Sequence, residues 1–360
     1  MKALIYNKIV ALATVVLLAF GVSANTVKNN SQAGSYDALA VKELSFAYEV
    51  DANTKFDITN IYGDIIIKNT DAKKITIDVR VESRARNQKD ADAGIERVNI
   101  DVNNKNNLVK AVTTVESGRN KNRELQINYT VNMPAEMAIA LNNKFGDVRI
   151  ENLTGDVYLH VEYCTLQAKK IGSNDNQLSK IESNFSTVII SDISRCGIGA
   201  SYSTIEVESA SAMALIARYS TIKIQGLKQV TINSQYSDIE VKNVASAVAD
   251  MQYGDLKMGN VSRKAEVDSR YCDVTISNVE SGFKSVKVKA SYADVNVKVD
   301  SKASYKMNCS ARYGDLSIPE NKKLQLKYES SWSKDVSTSV GENAEAIVDL
   351  STSYGDIKLK

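Results

Sequence analysis

A recurring aspartate is the feature of this sequence best suited to metal chemistry. It stands two residues after a tyrosine in successive repeats, and strand alternation places it on the outer face, about 5 Å from the next aspartate. Its members are Asp238, Asp255, Asp273, Asp294, Asp315 and Asp356, with Asp335 in a less regular repeat. Hard cations such as Ca²⁺ bind several carboxylate or carbonyl oxygens. This aspartate column is therefore a candidate Ca²⁺ strip.

A structural role explains the same column without a metal. Asp and Thr side chains both bond to backbone groups at turns, and Thr does so without a charge. Thr replaces Asp in four adjacent repeats, at Thr165, Thr187, Thr204 and Thr221. Because this replacement keeps the turn bond and loses the charge, it favours the structural role. We predict no metal and no cofactor.

Catalytic motifs give little support for an enzyme. His160, the single histidine, lies on the outward parity of its strand, and no zinc spacing, phosphate-binding glycine loop or nucleophile elbow accompanies it. A glycan-active β-helix enzyme of lyase or hydrolase type is the alternative, since such sites assemble carboxylates and tyrosines across coils. Long loops would interrupt its repeat, whereas the coils from Phe185 to Tyr271 are 17 or 18 residues long. We therefore predict a protein that is not an enzyme.

The elements that position these residues follow from an aromatic repeat. Spacings of about 17 to 22 residues indicate a solenoid, in which each repeat needs neighbours to bury its apolar face. Apolar residues alternate before each aromatic, as at Val230 and Ile232, and after it, as at Ile239 and Val241. Those before it lie an even number of residues from the aromatic and those after it an odd number, so uninterrupted alternation would place them on opposite faces. A corner must lie between them. The sequence predicts an all-β fold, a parallel β-helix of short coils in which Ile222, Ile239 and Leu256 stack. The aromatics are Tyr62, Phe145, Tyr163, Phe185, Tyr202, Tyr219, Tyr236, Tyr253, Tyr271, Tyr292, Tyr313 and Tyr354, with Trp332 in a missing slot.

The aromatic residues themselves have two interpretations. Exposed tyrosines could stack on sugar rings, but the alternation before the corner points them inward, so we predict that they belong to the core. The next residue is always small, for example Gly254, Ser237 or Cys272. Since Ser, Ala and Cys are disfavoured at positive φ, we predict a tight inward bend there rather than a left-handed residue.

The chain divides into three predicted segments. Residues 1–24 have Lys2 and Lys8, an apolar run and a small-residue cleavage site, which are typical of a signal peptide. Residues 25–141 form a β-rich cap with one short helix near Asn87 to Val98 and a first coil near Tyr62. Residues 142–360 form the β-solenoid. Export to the periplasm, the outer-membrane surface or the medium follows, with no transmembrane segment in the mature chain.

Composition and cysteine positions exclude other classes. The net charge of +2 and the absence of a long basic run argue against nucleic acid as a partner. Cys196 and Cys309 take inward strand positions six coils apart, and Cys164 and Cys272 take the corner column, also six coils apart. No pair is close enough for a disulfide. We predict four buried free thiols.

The C-terminal coil, Val348 to Lys360, is expected to form an open edge of the stack. Lys358 and Lys360 flank Leu359 on the outward parity, a pattern that discourages edge-to-edge pairing. We therefore expect a monomer, although a partner that covers this edge is the alternative.

Several phrases resemble a known family. Residues 60–65 (Asn-Ile-Tyr-Gly-Asp-Ile), 127–134 and 143–148, with serial Tyr-Gly-Asp phrases downstream, resemble the "putative adhesin" β-solenoid family of exported bacterial envelope proteins. The resemblance covers nearly the whole mature chain and implies a non-enzymatic envelope or cell-surface binding scaffold. Its partner would be a surface or envelope ligand, glycan or protein. The Ser-Thr phrases of the middle coils depart from the Gly-Asp form.

Overall fold

The protein is described here by a computed structural model that covers residues 16–17, 37–117, 123–172, 179–319, 325–330 and 332–360. It is an all-β fold built mostly of parallel strands, and α1 (Gln88–Glu96) is the one helix within these ranges. The described chain divides into two compact units, residues 1–167 and 168–360. The predicted signal peptide lies outside the described residues except for Val16–Leu17, which pair antiparallel with Lys42 and Glu43.

The first unit combines an antiparallel layer with parallel coils. The strands are β1 (Val16–Leu17), β2 (Ala38–Glu49), β3 (Lys55–Ile61), β4 (Ile65–Asn69), β5 (Lys74–Ala85), β6 (Val98–Lys105), β7 (Leu108–Val115), β8 (Arg123–Met133), β9 (Ala138–Lys144), β10 (Val148–Leu153), β11 (Val157–Glu162) and β12 (Thr165–Ile171), which extends into the second unit. β2 pairs antiparallel with β5, and β5 pairs antiparallel with β8. β3 lies between β7 and β9 in parallel, and β4 lies between β8 and β10 in parallel.

The predicted short helix is confirmed. Asn87 takes an extended conformation as the N-cap, and its side chain accepts a hydrogen bond from the backbone N–H of Asp90. The helix buries Ala91, Gly94 and Ile95. A Cβ added to Gly94 would lie 1.9 Å from Oγ of Ser83. Close packing therefore explains a glycine that weakens the helix locally.

The second unit is a parallel β-solenoid. Its strands are β13 (Ser179–Asn184), β14 (Thr187–Ser201), β15 (Thr204–Arg218), β16 (Thr221–Gln235), β17 (Asp238–Val279), β18 (Ser285–Ser291), β19 (Val295–Val299), β20 (Tyr305–Arg312), β21 (Leu316–Ser317), β22 (Gln325–Glu329), β23 (Ser333–Val340), β24 (Ala346–Ser353) and β25 (Ile357–Leu359). β14, β15, β16 and β17 pair in parallel, in register over their whole coils. Ile222 lies directly opposite Ile239, as predicted, and both are buried.

The expectation of an open edge at the C-terminal coil is wrong. β24 pairs in parallel with β18 on one side and β20 on the other, and β25 likewise lies between β19 and β21. The last coil of the sequence is therefore inserted between two earlier coils. This placement gives its apolar residues Val348 and Leu350 a neighbour on both sides, and both are fully buried.

The segment before the C-terminal coil leaves the parallel pattern. β23 pairs antiparallel with β20 and with β22. Trp332, predicted to fill an aromatic slot, precedes this antiparallel strand, and its ring is tilted by 52° against Tyr313 at a centroid distance of 6.5 Å. Asp335 lies opposite Ser310 across the antiparallel pair. It is therefore not a member of the stacked aspartate column.

Candidate binding surface: the aromatic ladder

Nine aromatic residues of the second unit form a continuous stack, which we call the aromatic ladder. Neighbouring ring centroids are 4.7–5.0 Å apart with interplanar angles of 2–9°. The order follows space rather than sequence, because Tyr354 lies between Tyr292 and Tyr313. Within the described residues the ladder comprises Phe185, Tyr202, Tyr219, Tyr236, Tyr253, Tyr271, Tyr292, Tyr354 and Tyr313.

The prediction that these aromatics belong to the core is wrong. Each is 42–57% exposed. The reason is the backbone, since every ladder residue has a φ of 50–60°, in the left-handed region. A left-handed residue breaks the two-residue alternation of a strand, so the ring turns outward at the position where continued alternation would bury it. The predicted corner exists, but the aromatic residue forms it.

Each left-handed aromatic carries an energetic cost. The conformation is disfavoured by roughly 1–2 kcal/mol for residues with a Cβ. Stacked aromatic pairs return roughly 0.5–1.5 kcal/mol each beyond their buried area. Because the ring faces cover one another, the ladder presents solvent with ring edges and phenol hydroxyls at a repeat of 4.7–5.0 Å. A ligand would meet a row of hydroxyl donors and acceptors on an apolar ridge.

The residue after each aromatic is small because space at the corner is limited, as predicted. In several coils it is a serine whose hydroxyl also forms hydrogen bonds at the corner. A Cβ on Gly355 would lie 2.0 Å from the carbonyl oxygen of Ala293, so space is limited there. In the serine coils the hydroxyl completes the corner. Oγ of Ser203 donates to the carbonyl of Ser201 at 2.8 Å and accepts from the N–H of Ser186 at 3.2 Å. Ser220 and Ser237 repeat this arrangement with the N–H groups of Ser203 and Ser220.

The aspartate column runs beside the aromatic ladder. Its carboxylates accept hydrogen bonds from backbone N–H groups of neighbouring coils. Oδ1 of Asp273 accepts the backbone N–H of Asp294 at 2.8 Å, and Oδ1 of Asp294 accepts that of Asp356 at 2.8 Å. The same bond joins Asp238 to the N–H of Asp255 at 3.1 Å, and Asp356 to that of Asp315 at 2.8 Å. The predicted bond to the local turn is thus replaced by one to the neighbouring coil.

The prediction of no metal at the aspartate column, with a Ca²⁺ strip as the alternative, stays a prediction. Over the described ranges, no three or more His, Cys, Asp or Glu side chains are grouped to hold a metal ion. Lys334 donates to Asp315 at 2.7 Å, and this bond and the lysine charge lower the pKa of that carboxyl. Lys257 lies 3.5 Å from Asp255. Two of the six carboxylates therefore already have a basic partner.

The other residues considered for chemistry are His160 and the four cysteines, of which Cys272 directly follows Tyr271 of the aromatic ladder. His160 is on β11 of the first unit, opposite Asn142. All four cysteines are buried free thiols. Burial raises the pKa of Cys196 and of Cys309 to about 12, and burial together with Asp255 and Asp273 does the same for Cys272. Such thiols are not nucleophiles at neutral pH.

Replacing Tyr236 separates the backbone cost from the stacking gain. We expect Tyr236→Val to lose about 1–2 kcal/mol more stability than Tyr236→Gly, because a β-branched side chain is disfavoured at the φ of 53° that glycine adopts freely. Denaturant titration of both variants, followed by the fluorescence of Trp332, measures the difference. Equal losses would show that the left-handed conformation is not retained at this corner.

Comparison with known proteins identifies the family. The family model described as "Toastrack DUF4097" matches residues 53–360. No curated protein matches the chain. Within the described residues, no helix is long and apolar enough to cross a membrane.

Solved structures of bacterial proteins are also similar to this chain. One, a "putative adhesin" from Bacteroides fragilis, is 15% identical with a TM-score of 0.30 and covers 90% of this chain and 98% of that chain. A "putative adhesin" from Parabacteroides merdae is 10% identical with a TM-score of 0.30 and covers 72% and 93%. A "putative cell adhesion protein" from Clostridium sporogenes is 10% identical with a TM-score of 0.16 and covers 88% and 98%. The family match, over residues 53–360, includes the parallel coils and the aromatic ladder: the chain belongs to the Toastrack DUF4097 family.

Proposed function

We propose that this protein is a non-enzymatic, exported scaffold of the bacterial envelope or cell surface, and that the aromatic ladder is its binding surface. The observation that carries the proposal is the exposure of nine stacked aromatics at left-handed positions. A fold selected for stability alone would bury such rings, because burying an aromatic side chain contributes more than leaving it half exposed. Large exposed apolar patches are typical of interaction sites.

The chemistry of the ladder favours an extended ligand. Hydroxyls at a constant repeat on an apolar ridge suit a glycan chain or a polypeptide that follows the stack, since the same contact recurs at each coil. The aspartate column along one flank adds carboxylates that attract positively charged groups. A surface or envelope glycan or protein is thus the proposed partner, and the scaffold itself acts as a monomer.

The test removes ladder rings without disturbing the backbone. In a triple variant, Tyr219, Tyr236 and Tyr253 become Asn, the residue that best tolerates the left-handed region after glycine. The control replaces Lys223, Glu240 and Arg263, exposed residues of the same coils, by Ala. Purified proteins are applied to a glycan array and to immobilised extracellular-matrix proteins.

We expect the ladder variant to lose at least about tenfold in binding, equivalent to roughly 1.4 kcal/mol, while the control binds as wild type does. A folded ladder variant with full binding would show that the ladder is not the binding surface. Release of new reducing ends from a bound glycan would instead support the glycan-active enzyme. Cell fractionation with surface protease treatment tests export, and recovery of the protein only in the cytoplasm would refute it.

A further inference from the structure

The first unit contains a cleft that is separate from the aromatic ladder. Its volume is about 710 Å³, and the residues that matter for its chemistry are Tyr62, Arg97, Thr114, Glu116, Arg123 and Lys144. A cleft of this volume accommodates one or two sugar rings, in the size range of small-molecule sites. All of its lining residues belong to the first unit.

One wall of the cleft is an aromatic ring at the end of a stack. Tyr62 is left-handed, with a φ of 63°, and 41% exposed. Its ring stacks on Phe145 at 5.5 Å, and among the described residues Phe145 is its only stacked neighbour. Interior rings of a stack are covered on both faces, whereas Tyr62 has one ring face without an aromatic partner. Tyr62 is one of the residues that line the cleft.

The lining of the cleft carries more basic than acidic side chains. Three basic side chains, Arg97, Arg123 and Lys144, line it against the single carboxylate of Glu116. Arg97 donates from Nε to the backbone carbonyl of Glu116 at 2.9 Å, and Lys144 pairs with Glu162 at 2.9 Å. An arginine bonded to a carbonyl keeps its full charge uncompensated.

Arg123 supplies an independent sign of an absent partner. Its side chain is 8% exposed, yet its Nε has no hydrogen-bond acceptor, and its terminal nitrogen is 3.6 Å from Asp90. A buried donor without a partner costs roughly 1–3 kcal/mol. An anion in the cleft would add a second favourable charge interaction with this guanidinium, beside the one from Asp90.

We propose that this cleft binds an acidic pyranose, a sugar ring that carries a carboxylate. The free face of Tyr62 packs against the C–H face of the sugar, and the carboxylate lies toward Arg97, Arg123 and Lys144. Exposed polar side chains at Thr114, Ser117 and Asn142 face the same cleft and match ring hydroxyls. An aromatic carboxylate has no ring hydroxyls to form hydrogen bonds with these polar groups, so the sugar fits better.

The experiment is saturation-transfer NMR on the full chain with methyl β-D-glucuronide as the probe. Methyl β-D-glucoside is the uncharged counterpart, benzoate is the aromatic carboxylate, and inorganic phosphate is the simple anion. We expect saturable binding of the glucuronide, with at least about tenfold weaker binding of the glucoside. Equal binding of the two sugars, tighter binding of benzoate, full competition by phosphate, or no saturable binding of the glucuronide would each overturn the proposal.

Variants locate the site. Tyr62→Asn keeps a residue that tolerates positive φ and removes the ring, and Lys144→Gln removes one charge. We expect each to weaken glucuronide binding about tenfold or more, whereas Arg84→Gln, outside the cleft, leaves it unchanged. Arg123 is left intact, since its replacement in a buried position can unfold the unit. Binding that survives both cleft variants while Tyr219→Asn abolishes it would assign the sugar to the aromatic ladder and overturn the cleft.

Discussion

Ile239→Asp is expected to unfold the second unit or to lower its free energy of unfolding by about 4 kcal/mol or more. Ile239 is 2% exposed, and it pairs in register with Ile222, which is fully buried. The substitution removes a packed aliphatic side chain and places a carboxylate among buried aliphatic side chains. Each coil contacts only its neighbours, so the loss propagates to both.

Fluorescence of Trp332 is the appropriate measurement for Ile239→Asp. It is the single tryptophan of the chain and lies in the second unit, so its signal reports on that unit rather than on the first. Glu240→Lys is the matched control, because Glu240 is the next residue and points outward. We expect the control to change stability by less than about 0.5 kcal/mol. A normal unfolding midpoint for Ile239→Asp would contradict the register of these coils.

Much of the fold follows from periodicity in the sequence. Residues 25–141, predicted to be β-rich with one short helix, contain α1 and strands that include β2, β5 and β8. The coil register also follows, because a constant spacing of 17 residues, as from Tyr219 to Tyr236, leaves one alignment that keeps every apolar residue inside. Spacing therefore predicts both the elements and their neighbours where the repeat is regular.

The aromatic ladder could not be predicted in the same way. The strand face of each residue was counted on the assumption that the backbone is extended throughout. One left-handed residue reverses the face assigned to every residue after it. Sequence rules assign that conformation to Gly and Asn, so Tyr236 and its equivalents gave no local sign of it. The sequence shows only that the apolar residues change strand face between the two sides of the aromatic. A corner at the aromatic and a corner at the next residue would both produce that change. Only the backbone angles distinguish the two.

The order of the last coils was also beyond sequence reasoning. Nothing in Val348 to Leu359 indicates that this coil lies before, rather than after, the coil of Tyr313. The antiparallel return of β23 decides the order, because it covers the outer side of β20 and leaves the inner side for β24. The order of the coils is set by the connection from β20 through β23 to β24. The length of that connection does not show on which side of β20 the last coil will pair.

Deletion of residues 346–360 is therefore expected to disrupt the second unit rather than to shorten it. The deletion removes β24 and β25 from between two pairs of strands and takes away the buried side chains Val348, Leu350, Ile357 and Leu359. It also breaks the bonds between Lys360 and the backbone of Val297 and Val299, at 2.9 and 2.8 Å. Four sheet edges become unpaired, and unpaired edges associate with other chains.

The expected result of this deletion is loss of the Trp332 unfolding transition and concentration-dependent light scattering. The double variant Lys358→Val, Lys360→Val is the matched control, since both side chains are exposed but their strand is internal. We expect that control to stay monomeric, because no open edge lies there for the lysines to protect. A truncated protein that keeps the wild-type transition and stays monodisperse would place β24 and β25 at the end of the stack, and association of the lysine variant would support the same placement.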